Sequence, residues 1–197
     1  MERIARRILN IDGLNNLEKE IDQLDDTHEK ANRTQLLDAI LDKIIDYDTH
    51  ILNYEYKQHL ITLSKRGLEV VAAYKDDIVA QWDGLFASRV SEQLKKQTRQ
   101  YSDQFKWHIF SFDLLEALKS DEARGAFDGI QKDTVYLFFQ SAEESFEIRN
   151  ASLLHSEDLD FNGPMDKADI YVFDPVEKWT YVKTHEDACG PYFYWDK

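Results

Sequence analysis

The chain has 197 residues, 43% apolar and 13% aromatic, enough for one domain with a buried core, and this excludes wholesale disorder. Its formal net charge of −14 divides into −5 over residues 1–60, +2 over 61–100 and −11 over 101–197, so no basic footprint exists and direct nucleic-acid binding is not expected. No apolar run reaches the roughly 18–20 residues of a membrane helix, the N-terminus lacks a signal-type apolar segment, and the single cysteine, Cys189, excludes an internal disulfide or a cysteine zinc site. A cytoplasmic protein without membrane association is the expectation.

The first 160 residues contain no proline, and all three (Pro164, Pro175, Pro191) fall in the last fifth, which predicts a helical front and a turn-rich back. Leu14, Leu17, Ile21 and Leu24 recur at helical spacing. Leu36, Leu37, Ile40, Leu41, Ile44 and Ile45 repeat the pattern, and Ile51, Leu52 and Tyr56 continue it. The polar stretch 25–33 reads as a connection, with Asn32 or Thr34 as the cap of the second helix. Residues 1–60 are therefore expected to form a helical hairpin with one long apolar seam, a surface fit for docking or dimerisation, ahead of a second domain over 61–197.

Beyond a turn at Gly67, Leu68-Glu-Val-Val71 predicts a short strand, and 76–87 a helix with Ile78, Trp82 and Phe86 on one stripe. Another helix is expected from Ser91 to about Gln100. Phe105-Lys-Trp-His-Ile-Phe110 reads equally as strand or buried helical turn. Asp113 is expected to cap a helix through Lys119, and Asp121 another to about Phe127. From Thr134 the period changes: Thr134-Val-Tyr-Leu-Phe-Phe139 suits a central strand, and Ser145-Phe-Glu-Ile-Arg149 alternates with Phe146 and Ile148 inward. Ser156-Glu-Asp-Leu-Asp160 reads as a helical turn before Asn162-Gly-Pro164. Residues 168–173 and 178–183 then form a strand pair around Asp174-Pro175. Helices first and strands later define an α+β fold, with a helical hairpin followed by a mainly antiparallel sheet.

The densest chemistry lies in Trp179-Thr-Tyr-Val-Lys-Thr-His-Glu186 and Gly190-Pro-Tyr-Phe193, where a strand delivers Thr184, His185 and Glu186 to its end beside a Gly-Pro corner. His185 has the makings of a general base oriented by Glu186 or Asp187, though adjacent strand residues face opposite sides unless the strand has ended. His108 with His185 and Glu186 would form a three-ligand shell, but the usual metal spacings are absent and no metal is expected. Cys189 near His185 reads as a small apolar filler rather than a nucleophile. With no phosphate loop, dinucleotide fingerprint or calcium loop, no cofactor is expected. Trp107, Tyr136, Gln140 and Tyr192 complete the ligand-binding candidates. Glu143, Glu144, Glu157, Asp158 and Asp160 are the acidic partner-binding candidates.

The motifs Trp82…Phe86, Phe105-Lys-Trp-His-Ile-Phe-Ser111, Ala126-Phe127, Tyr136-Leu-Phe-Phe-Gln140, Asn150-Ala-Ser152, Asp169-Ile-Tyr-Val172, Trp179 to Glu186 and Gly190-Pro-Tyr-Phe193 occur in one order. Together they resemble a bacterial domain family of unknown function, known mainly from bacilli and their relatives, over roughly residues 62–197. The resemblance brings no activity with it, but it implies that Trp107-His108 and Thr184-His185-Glu186 belong to one pattern.

Two functions follow as expectations. An acidic, cysteine-poor α+β domain without a complete catalytic signature suits a protein-binding or inhibitor role, of the kind filled by immunity proteins or phage-related regulators, through electrostatic association with a basic partner. The alternative is a small-molecule enzyme or ligand-binding domain with a His/Glu/Tyr pocket.

Overall fold

The computed structural model of the protein describes residues 11–91, 93–94, 105–140, 144–160, 168–186 and 188–196. Almost all of the helix expected over 91–100, the turn at 162–164, Glu143, Asp187 and the side chains of Leu14, Leu52 and Tyr56 lie outside the described residues. The chain divides into two compact units, Met1–Glu55 and Tyr56–Lys197. No helix among the described residues is long and apolar enough to cross a membrane.

Helices α1 (Ile11–Asp22) and α2 (Thr27–Lys65) are joined by a shorter connection than expected. Asp26 Oδ1 accepts the His28 and Glu29 N–H groups at 2.9 and 3.1 Å, satisfying two first-turn donors of α2. The cap is therefore Asp26, not Asn32 or Thr34; Thr34 sits inside the helix and donates its hydroxyl to the Lys30 carbonyl at 3.0 Å. Lys30 Nζ reaches Asp22 Oδ1 at 2.9 Å across the connection. With no glycine or proline from 27 to 65, α2 runs on until Gly67, whose φ of +104° ends it in a left-handed turn. The expected seam is narrower than its sequence pattern: Leu37 and Ile44 are buried, whereas Leu36 and Ile40 are exposed.

In the second unit, β1 (Glu69–Ala73), β2 (Leu118–Lys119), β3 (Thr134–Phe139), β4 (Ser145–Arg149), β5 (Ile170–Asp174), β6 (Trp179–Lys183) and β7 (Tyr192–Trp195) form one seven-stranded sheet. Its order is β1-β4-β3-β5-β6-β7-β2, and every pairing is antiparallel, so the α+β expectation holds. Helix α3 (Lys75–Leu85) presents Ile78 and Trp82 to a core that also holds Phe86, Phe110, Phe138, Tyr171, Phe173 and Val182. Trp82 is fully buried, and its indole N–H donates to Thr180 Oγ1 at 3.0 Å. Helix α5 (Ser120–Gly129) packs Phe127 against Trp179 and Tyr181, with ring centroids 5.9 and 4.5 Å away. Residues 179 and 181 alternate with 180 and 182 along β6, so the strand is covered on both faces and buried throughout.

Of the two readings open for 105–110, the structure takes the buried helical turn, α4 (His108–Ser111), with His108, Ile109 and Phe110 buried. One expectation fails locally: Asp113 does not cap a helix; its φ of 54° places it in the left-handed region, and the chain leaves it for β2, where Leu118 and Lys119 pair with Phe193 and Tyr192.

Candidate functional site

The site gathers at one end of β3, β5 and β6. Asp174 Oδ1 accepts the Val176 and Glu177 N–H groups at 2.8 and 3.0 Å, closing the β5–β6 turn. The register then pairs Ile170 with Lys183 at the far end of the hairpin, where Asp169 and residues 184–186 emerge side by side. Asp169 is buried, and its Oδ1 accepts both the His185 backbone N–H at 2.8 Å and the imidazole Nδ1–H at 2.9 Å. A carboxylate only accepts, so Nδ1 carries the proton that bonds Asp169, and Nε2 is the ring nitrogen left on the Glu186 side. Nε2 lies 3.7 Å from Glu186 Oε1, too far for a direct hydrogen bond. The carboxylate bonded to the ring is therefore Asp169 rather than the expected Glu186; Asp187, the other expected partner, lies outside the described residues.

Two aromatic rings wall the imidazole. Phe105 and Trp107 lie 4.8 and 5.9 Å from the His185 ring and 5.5 and 4.3 Å from that of His108. The Trp107-His108 and His185-Glu186 segments thus meet around one aromatic cluster. Their placement depends on a buried fastening. Gln140 Oε1 accepts the Lys106 N–H at 3.2 Å and the Tyr171 hydroxyl at 2.7 Å, and that hydroxyl oxygen accepts the Trp107 N–H at 3.0 Å. The Gln140 N–H donates to the Asp169 carbonyl at 3.0 Å, and Lys106 Nζ grips both Asp83 oxygens at 2.7 Å. Burial holds the Tyr171 hydroxyl well above its ordinary value, which keeps it a donor to Gln140.

The remaining expected site residues fall into other roles. Thr184 is buried, and its hydroxyl lies against the Glu186 and Cys189 carbonyls, stitching the loop after β6. Tyr192 is a core residue, buried and stacked on Phe110 at 5.7 Å, and burial pushes its phenol up to about 12. Tyr136 pairs with Phe173 and Glu147, strand positions removed from Gln140. Among the acidic candidates, Asp158 is buried and engaged by Arg66 and the His155 N–H, and Asp160 is paired with Arg124 at 2.8 Å. Glu157 is exposed and Glu144 half-buried. Among the described residues, no three His, Cys, Asp or Glu side chains converge to hold a metal ion.

Sequence reasoning missed Asp169, Tyr171 and Phe105 as members of the site. The readable signal for Asp169 was the hairpin itself, since a turn at Asp174-Pro175 with the register Ile170 to Lys183 places 169 beside 184.

An antiparallel α+β domain carrying a carboxylate-oriented histidine is the class these features define. Residues 58–193 match the family described as Domain of unknown function (DUF4275), and the chain belongs to that family. No curated protein and no solved structure matches the chain.

Proposed function

We propose that the DUF4275 domain binds a small molecule at His185 and is equipped to move a proton there. The observation that carries this reading is the buried Asp169 carboxylate on His185 Nδ1, which fixes one tautomer and leaves Nε2 toward the half-exposed Glu186. A purely structural histidine at a strand end needs only the backbone N–H clasp to Asp169, which is also present. The ring bond is the additional feature that general acid–base sites use to orient imidazole. Phe105 and Trp107 supply apolar walls against which a ligand would be desolvated.

A thermal-shift screen of a metabolite library against wild type and His185→Gln tests the reading. A ligand near saturation is expected to raise the wild-type Tm by about 5 °C or more and to leave the variant unshifted. Ligands that stabilise both proteins alike, or a library without any stabilising compound, would count against it.

A second reading is supported by the charge. With −14 overall and −11 over 101–197, the domain suits electrostatic association with a basic protein partner. Asp158 and Asp160 already serve internal arginines, so such a partner would engage other acidic groups.

A further inference from the structure

We propose that the groove between α5, the sheet edge β7–β2 and the β5–β6 turn is the docking site for a cationic amphipathic helix of a protein partner, an inference that rests on the basic-partner reading above. The groove encloses about 950 Å³ beside α5 and continues into a second recess of about 510 Å³, the two sharing Ile130, Gln131 and Trp195. Three of the protein's exposed large apolar side chains line it: Leu118 (44% exposed), Trp195 (39%) and Val176 (80%). Scattered apolar residues on a surface need no explanation, but three on one concave surface mark a place where something covers them.

The electrostatics select the occupant. Glu116 and Glu122 line the first recess, Asp133 and Glu177 the second, and none of these four makes an ion pair among the described residues. Among the described residues the groove lining holds one cation, Lys119, and it is already paired with Asp113 at 2.7 Å. Four carboxylates without an ion pair among the described residues, set around apolar side chains, match Lys or Arg flanking an apolar stripe. The same field repels nucleic acid, an anionic membrane and a second copy of this acidic chain.

The floor selects a helix over a strand. Strand β2 has two residues, too few to template an added strand by backbone pairing. Gly125 and Gly129, one turn apart on α5, line the groove, and a Cβ built on either meets nothing within 4 Å. Without side chains there, a second helix can approach α5 at backbone contact distance, with its apolar stripe against Leu118 and Trp195.

The test uses the full chain and a synthetic Lys/Leu amphipathic helix, with a scrambled peptide of the same composition and a Glu/Leu version as controls. Binding is followed by peptide fluorescence anisotropy at low and high salt. Trp195 emission provides a second readout, because Trp82, Trp107 and Trp179 are buried. Two variants separate shape from charge. Gly125→Gln/Gly129→Gln fills the floor at positions with open space and better helix propensity, so it should fold at least as stably as wild type. Glu116→Gln/Glu122→Gln/Asp133→Asn/Glu177→Gln removes the rim charge.

The expected result is salt-sensitive binding of the Lys/Leu helix alone, weakened about tenfold or more by each variant, with a blue-shift of Trp195 emission. Salt-sensitive binding that both variants leave intact would overturn the groove while leaving the basic-partner reading standing. Equal binding of the scrambled peptide would reduce the interaction to nonspecific charge and overturn the groove. No binding of either cationic peptide would overturn both.

Discussion

Cys189 lies between the His185-Glu186 pair and the aromatic corner, where a reactive thiol would be easy to imagine. Its surroundings argue otherwise. Burial, then the neighbouring Glu186, raises its thiol above the ordinary 9.0, so at neutral pH it holds less thiolate than a free cysteine. Alkylation of native protein near pH 8 is expected to run about tenfold slower than in the urea-unfolded chain, the two rates converging as pH rises past the folded value. A native rate equal to or above the unfolded rate would show an activated thiol and would reopen a Cys–His pairing. His185 is the contrasting case: an ordinary residue type whose meaning comes from a carboxylate sixteen positions away.

At the scale of elements, β6 carries the structure, and two adjacent residues in it should respond in opposite ways to loss of a hydroxyl. Thr180 Oγ1 accepts the buried Trp82 indole N–H at 3.0 Å and donates to the Val172 carbonyl at 3.1 Å. Thr180→Val keeps the shape and strands both groups, at an expected cost of about 1–3 kcal/mol in urea unfolding, largely recovered by Thr180→Ser. Tyr181 OH is buried without a hydrogen-bond partner among the described residues. Tyr181→Phe removes an unsatisfied group and should be neutral or slightly stabilising. The reverse ranking would mean that the polar pattern across β6 has been misassigned. The same strand shows what an element pattern reveals. The 179–183 run and the Asp174-Pro175 turn made the β5–β6 hairpin legible. The Tyr192–Trp195 strand was not, because four consecutive aromatics after Gly-Pro carry no polar alternation. The segment after Asp113 was misread as helix because a left-handed backbone at an aspartate leaves the same sequence signature as an N-cap.

For the whole molecule, the fold class came through because it depends on order, helices before strands, and membership of a family of unknown function came through in the match over residues 58–193, close to the expected 62–197. The site came through in part, for a physical reason. Trp107, His108, His185 and Glu186 are chemically conspicuous and do meet, whereas Asp169 and Tyr171 act through register and burial, which only the assembled sheet defines. Gln140, Thr184 and Tyr192 were conspicuous too, and they serve as fasteners and core. The central claim is that the completed fold delivers Asp169 to His185 Nδ1 and leaves Nε2 for a ligand. A nitrogen-15 correlation spectrum of the imidazole rings tests it most directly, with His185 assigned by its disappearance in His185→Gln. The account predicts that His185 carries its proton on Nδ1 in wild type and loses that preference in Asp169→Ala. A wild-type ring protonated on Nε2 alone, or one that the alanine substitution leaves unchanged, would contradict it.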